Sequence, residues 1–143
     1  MILVSACLLG INSKYDGTNN YLEKLDEYLK GEEFIFMCPE QLGGLCTPRN
    51  PSEIKYVDGK RKVFANDGVD VTENFEKGAQ EVLNICKKYN IKKAILKSGS
   101  PSCGYGKIYD GTFSGNKIDG NGITTELLLE NGIEVISSKE FEN

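Results

Sequence analysis

The chain has 143 residues, 39% of them hydrophobic and 27% charged, and its formal net charge is −4. This length and composition suit one globular domain over residues 1–143, and the acidic balance argues against a protein whose main task is to grip nucleic-acid phosphates. No apolar run approaches the ~20 residues of a membrane span, and the apolar start MILVSACLLG lacks the basic residues and cleavage site of a secretory signal. We therefore expect a cytoplasmic protein with no membrane partner.

The first half of the chain predicts two strands, a helix and a hairpin. The apolar run at 2–6 ends in a turn and predicts a buried strand, and apolar residues at helical spacing predict a helix at 20–30. A second buried strand is expected at 33–37. Residues 38–53, which contain three prolines and two glycines, are typical of a long irregular loop. Residues 54–65 predict a hairpin that turns at an Asp-Gly pair.

The second half continues the alternation of strands and helices. A long helix is expected at 72–89, with the threonine at its start as N-cap, followed by a buried strand at 92–97. Residues 98–122 hold seven glycines and predict an irregular segment. A last helix is expected at 124–130 and a last strand at 134–137.

This alternation predicts the fold class and the place of a site. Strands that alternate with helices indicate an α/β domain with a mainly parallel sheet flanked by helices, here with a long cysteine-bearing loop and a hairpin. Ligands of such sheets bind beyond the carboxyl ends of the strands. Cys7, Cys38 and Cys103 each follow a predicted strand. We therefore expect these three thiols to meet at one edge of the sheet.

Five cysteines and no histidine limit the chemistry of the chain. Without histidine there is no Cys-His or Ser-His nucleophile pair and no Cys₂His₂ zinc site. Cys86 lies on the apolar face of a predicted helix and is expected to be structural. The other cysteines lack the C-x₂-C spacing of most structural zinc sites, so dispersed thiols suit an iron–sulfur cluster held by separate loops. Cluster ligation, zinc ligation and a bare reactive thiol all stay open at this point.

Several blocks of the sequence carry a family resemblance. They are SACLLG with KYDG, CPEQLGGLCTPRNPSE, GVDVTENFEKGA, AILKSGSPSCG and YDGTFSG. In this order they resemble the DUF523 family, which includes thiouracil desulfidases. The resemblance implies a small α/β domain that holds a [4Fe-4S] cluster by three cysteines. It also implies removal of sulfur from a thiolated pyrimidine, a base or nucleoside, by a non-redox conversion of C=S to C=O that releases sulfide.

The resemblance also implies the cluster ligands. Cys7 of SACLLG matches the first ligand and Cys103 of SPSCG matches the last. Cys38 of CPE is the expected middle ligand. Cys46, eight residues further on in GGLC, is the alternative for that position.

Four polar residues invite roles beside the cluster. The resemblance makes Glu40 of CPE a candidate acid or base and Ser100 of SPSCG a residue beside the open iron. Taken from sequence alone, the preferred interpretation of Glu40 is a surface carboxylate and that of Ser100 is a turn residue before proline. Lys97 would pair with Glu40, contact the pyrimidine base of the substrate or be solvated. Arg49 would hold its loop through hydrogen bonds to carbonyl groups.

The sequence YDGT occurs twice, at 15–18 and 109–112. Aspartate side chains often accept hydrogen bonds from the backbone two residues further along. Asp16 and Asp110 are therefore expected to cap their own turns.

Two other functions would use the same cysteines. One is a carrier of iron–sulfur clusters or sulfur without hydrolytic activity, and the other is a structural zinc domain. For the desulfidase, the partner is expected to be a small thiolated base or nucleoside. Relatives that act on thiolated tRNA carry an extra domain, which this chain lacks, so nucleic acid is not expected as a partner.

Overall fold

The structure is a computed structural model and describes residues 1–142. Its helices and strands follow in the order β1 Ile2–Ser5, α1 Glu23–Leu29, β2 Phe34–Met37, α2 Pro39–Leu42, β3 Ser52–Val57, β4 Lys60–Ala65, α3 Thr72–Lys88, β5 Lys93–Leu96, β6 Lys107–Tyr109, β7 Lys117–Asp119, α4 Ile123–Glu130 and β8 Glu134–Ser137. Short 3₁₀ turns lie at Ala6–Leu9 and Ser138–Phe141.

The centre of the fold is a parallel sheet with the strand order β2-β1-β5-β8. Ile2 of β1 lies beside Phe34 on one side and Lys93 on the other. From β1 the chain first crosses to β2, and it later returns to β5 on the opposite side of β1. The direction of the crossovers therefore reverses between β1 and β5. The expected α/β class with a mainly parallel sheet is confirmed.

Helices cover both faces of the sheet. Leu3 and Leu96 point to one face, where Val82 of α3 and Leu128 of α4 pack on them. Val4 and the other alternate residues point to the second face, against α1 and the C-terminal 3₁₀ turn. All four residues of β1 are buried, because this strand is covered on both faces. Within residues 1–142, no helix has the length and apolar character needed to cross a membrane.

The structure differs from the expected elements in four places. The first helix begins at Glu23, three residues later than expected. The loop 38–53 contains the single-turn helix α2, and the segment 98–122 contains the antiparallel hairpin of β6 and β7. Thr72 was expected to be an N-cap, and this is wrong. Asp70 Oδ1 accepts the backbone N–H of Thr72 at 2.9 Å, so the carboxylate two residues earlier occupies the place of the cap.

A close contact between Gly43 and Gly78 allows α2 to pack directly against α3. A Cβ atom on Gly78 would overlap the carbonyl oxygen of Pro39, and one on Gly43 would overlap the carbonyl oxygen of Asn74. The side-chain amide of Asn74 also donates to the carbonyl oxygen of Gly43 at 2.9 Å. The position of α2 therefore depends on the absence of side chains at both glycines.

Replacing Gly78 by alanine is expected to destabilise the protein. In an open helix this change stabilises by about 1 kcal/mol, but here the new methyl group must push α2 away, which typically costs about 1–3 kcal/mol. Urea unfolding measures the difference. Lys77→Ala, on the exposed side of the same helix, is the control and should change the free energy of unfolding by less than about 0.5 kcal/mol. A G78A protein as stable as the wild type would contradict the close contact.

Candidate active site

A cavity of about 440 Å³ opens at the carboxyl ends of β1, β2 and β5. The loops that follow these three strands line it, together with residues from β3 and from the β6–β7 hairpin. The cavity lies where the direction of the crossovers reverses, between β1 and β5, which is where open parallel sheets bind their ligands.

Three of the five thiols line this cavity. Cys7 comes from the 3₁₀ turn after β1, Cys38 from the end of β2 and Cys103 from the loop after β5. Cys46 is exposed and does not line the cavity, and Cys86 is buried in the core beneath α3. The expected meeting of Cys7, Cys38 and Cys103 at one edge of the sheet is confirmed.

The Cys103 thiol is the most deeply buried of the three. The residue is 3% exposed, and the hydroxyl groups of Ser5 and Ser102 both lie 3.6 Å from its Sγ. Burial raises the pKa of Cys103 to about 12, and it also raises the pKa values of Cys7 and Cys38. Burial in a low-dielectric site disfavours the thiolate and so favours the neutral thiol in the absence of added positive charge.

The loop that carries Cys103 is anchored to the N-terminus of α4. The backbone N–H of Thr124 donates to the carbonyl oxygen of Ser102 at 2.9 Å, and Thr125 Oγ1 donates to that of Cys103 at 2.8 Å. A Cβ atom on Gly122 would lie 2.5 Å from the carbonyl group of Ser102. The glycines of this segment thus allow close packing, and the loop is held in place rather than flexible.

Glu40 lies in the first turn of α2 and forms a shielded ion pair. Its carboxylate accepts Arg49 Nε at 3.1 Å and the Ser102 hydroxyl at 3.0 Å, and the Glu40 and Arg49 side chains are only 15% and 9% exposed. Glu40 is therefore not a surface carboxylate. The possible pairing of Lys97 with Glu40 is wrong, because Arg49 occupies that position. Lys97 Nζ instead donates to the carbonyl oxygen of Ser98 at 2.8 Å, although its side chain still lines the cavity.

Ser100 connects to Glu40 through Ser102. Ser100 Oγ accepts the backbone N–H groups of Ser102 and Cys103 at 3.1 and 3.0 Å, which makes it a turn residue as well as a cavity residue. The two hydroxyl oxygens lie 2.8 Å apart. Since Ser102 donates to Glu40, Ser100 donates to Ser102, and the three groups form a continuous chain of hydrogen bonds. Sequence reasoning missed Ser102, although it directly precedes Cys103.

Arg49 ties three segments of the site together. Besides the Glu40 carboxylate, its guanidinium donates to the carbonyl oxygen of Ser13 at 2.9 Å and to that of Cys46 at 3.3 Å. The guanidinium also lies 3.8 Å from Cys38 Sγ. The expected hydrogen bonds from Arg49 to carbonyl groups are confirmed. They lock the loop after β2 against the loop after β1.

Asp16 and Asp110 are confirmed as turn caps. Asp16 Oδ1 accepts the backbone N–H of Thr18 at 3.0 Å and its hydroxyl at 2.5 Å. Asp110 Oδ1 accepts the corresponding groups of Thr112 at 3.0 and 2.6 Å. These hydrogen bonds lower the pKa of both carboxyl groups, and neither aspartate lines the cavity.

Comparison with known proteins agrees with this geometry. The chain is 44% identical to YbbK, an uncharacterized protein of Bacillus subtilis (strain 168), over all of this chain and 99% of that protein. Among solved structures, the [4Fe-4S]-dependent thiouracil desulfidase TudS is similar with a TM-score of 0.88 and 43% identity, over 97% of this chain and 91% of TudS. The profile of the 2-thiouracil desulfurase family matches residues 2–140. Since that match spans the fold and every residue of the cavity, the chain belongs to the 2-thiouracil desulfurase family.

Proposed function

We propose that this chain is a [4Fe-4S]-dependent desulfidase that removes sulfur from a thiolated pyrimidine base or nucleoside, of which 2-thiouracil is the simplest. Family membership and the similarity to TudS support the enzyme class and the cofactor. The observation that carries the proposal is one cavity that is lined by three thiols and by a shielded carboxylate.

The residues of the cavity fit a cluster with three protein ligands. Iron–sulfur clusters take cysteine thiolates, and Cys7, Cys38 and Cys103 reach the cavity from three separate loops. Bound iron would compensate the thiolate charges that burial disfavours. Cys38 is the middle ligand in this proposal, because exposed Cys46 lies outside the cavity.

The reaction exchanges sulfur for oxygen at one carbon. Water forms the new C–O bond, the C–S bond breaks, and both protons of the water leave, so that thiouracil and water give uracil and hydrogen sulfide without a change of oxidation state. When bound, the cluster would supply an iron without a protein ligand, a Lewis acid with affinity for the sulfur of a C=S group.

The protein groups then handle the protons. Glu40 acts as the base that takes a proton from the attacking water, because an ionised carboxylate accepts protons and this one faces the cavity. Arg49 fixes the orientation of that carboxylate through their ion pair. Ser102 and Ser100 continue the chain of hydrogen bonds, and both hydroxyl groups donate in the direction of Glu40, so they help to hold its carboxylate in place.

Anaerobic reconstitution tests the proposal. We expect about four iron and four acid-labile sulfide ions per chain and a visible absorption band. The reconstituted protein should convert 2-thiouracil to uracil with release of one sulfide, and the cluster-free protein should not. A colourless protein with about one zinc ion would instead indicate a structural zinc domain. A full cluster without turnover of any thiolated pyrimidine base or nucleoside would indicate a carrier.

A further inference from the structure

The turn between β6 and β7 brings aromatic side chains to the cavity. This segment, YDGTFSG at 109–115, is one of the sequence blocks noted above, and the proposed chemistry gives it no role. Tyr109 and Phe113 both line the cavity, together with Cys7, Cys38 and Cys103 from the segments that follow β1, β2 and β5.

The backbone of Phe113 is held in an uncommon conformation. Its φ angle is +56°, in the left-handed region that a bulky residue rarely adopts. Glu53 on β3 accepts the backbone N–H groups of Gly111 and Phe113 at 3.0 and 3.1 Å with a single carboxylate oxygen. Gly111 has a φ angle of +92°, and a Cβ atom there would lie 2.8 Å from the carbonyl oxygen of Ile54. The turn is therefore seated on β3 by Glu53 and by the absence of a side chain at Gly111.

The two aromatic rings differ in how free they are. The ammonium group of Lys117 lies 5.2 Å from the centre of the Tyr109 ring and occupies one of its faces. Phe113 is 39% exposed, and within residues 1–142 its ring forms neither an aromatic pair nor a cation–π contact. A strained residue that keeps a large apolar ring at the wall of a cavity is the kind of outlier that points to a ligand.

We propose that Phe113 is the surface on which the pyrimidine ring of the substrate stacks, and that Glu53 is the positioning residue that holds Phe113 in place. This inference rests on the proposed function, because it assigns the ring of the same substrate. A pyrimidine is polar at its edges and apolar on its faces. Phe113 would cover one face, and the edges would stay free for the groups that carry out the reaction.

Replacement of the ring tests the stacking. In the reconstituted enzyme, Phe113→Ala should raise the KM for 2-thiouracil about tenfold or more, since stacking of a base on an aromatic side chain contributes substantially to binding. The kcat should change much less, and Phe113→Tyr, which keeps the ring, should stay close to the wild type. Phe34→Ala removes a phenylalanine of similar exposure, 37% against 39% for Phe113, that lies outside the cavity, and it is the matched control.

Binding of uracil, the product, gives a second measurement that does not depend on turnover. Calorimetry with the reconstituted protein should show a Kd for uracil that rises in Phe113→Ala by a factor similar to the rise in KM. Glu53→Ala should weaken binding in the same direction, because it releases the turn. Glu53→Gln retains an acceptor oxygen and should restore most of the affinity, a rescue that a charge-dependent role of Glu53 would not give.

The results separate this inference from the proposed function. If the wild type does not turn over 2-thiouracil but binds uracil with Phe113-dependent affinity, the stacking surface stands and the desulfidase reaction fails. If the wild type is active and Phe113→Ala leaves both the KM and the Kd for uracil unchanged, the stacking surface is wrong. A wild type that neither binds uracil nor turns over 2-thiouracil would overturn both.

Discussion

Replacing Cys103 by alanine is expected to abolish both cluster binding and desulfidase activity. The cavity holds three thiols from three loops, and each is needed because two thiolates leave half of the cluster without a protein ligand. Cys103 is the most deeply buried of the three, so water has little access to take its place. Iron and acid-labile sulfide should fall from about four per chain to well below one, and the visible band should disappear. Turnover of 2-thiouracil should drop to the background rate.

Cys46, in the loop after β2, is the matched control, and Cys38 from the same loop is the second ligand to test. Cys46→Ala should keep the full iron content and activity, because Cys46 is exposed and does not line the cavity. Cys38→Ala should behave like Cys103→Ala. Circular dichroism distinguishes loss of the cluster from loss of the fold. If Cys38→Ala keeps the cluster and Cys46→Ala loses it, Cys46 is the middle ligand instead of Cys38. Full activity in Cys103→Ala would overturn the proposed site.

The position of the site was predictable from the sequence because it depends on local patterns. The short apolar runs before Cys7 and Cys103 are long enough for one buried strand each, and the helices between them require parallel pairing. Parallel strands end at the same edge, so thiols in the loops that follow such strands are expected at that edge. The chemical identity of the bound group was not predictable from the spacing of the cysteines, which left zinc open. The family resemblance supplied the cluster.

Contacts between distant segments left no pattern in the sequence. Ser102 and Glu40 are 62 residues apart, and nothing local distinguishes Ser102 from Ser100 or assigns Arg49 rather than Lys97 to Glu40. The β6 and β7 strands have three residues each, and β7 is exposed throughout, so no apolar alternation indicated them. The glycines of residues 98–122 indicated an irregular segment, whereas in the structure several of them allow close approach of neighbouring segments.

Replacing Glu40 by glutamine is expected to lower kcat about 10²- to 10⁴-fold while the cluster is retained. Glutamine has nearly the same shape and still accepts the hydrogen bond of Ser102, but it cannot take a proton from water. The ligand thiols are unchanged, so iron content and the visible band should match those of the wild type. The buried guanidinium of Arg49 loses its counter-charge, so the free energy of unfolding should also fall.

The loss of stability and the loss of chemistry are separable. Glu76→Gln, on the exposed side of α3, makes the same chemical change away from the cavity and should keep both kcat and stability. Ile133→Val, in the core and outside the cavity, should cost about 0.5–1.5 kcal/mol of stability while Glu40 keeps its position, so it shows how much activity is lost through stability alone. If Glu40→Gln loses no more activity than Ile133→Val at equal cluster content, Glu40 is not the base. A far larger loss of activity in Glu40→Gln at equal cluster content identifies the Glu40 carboxylate, which Arg49 holds in place, as the group that removes the proton from water.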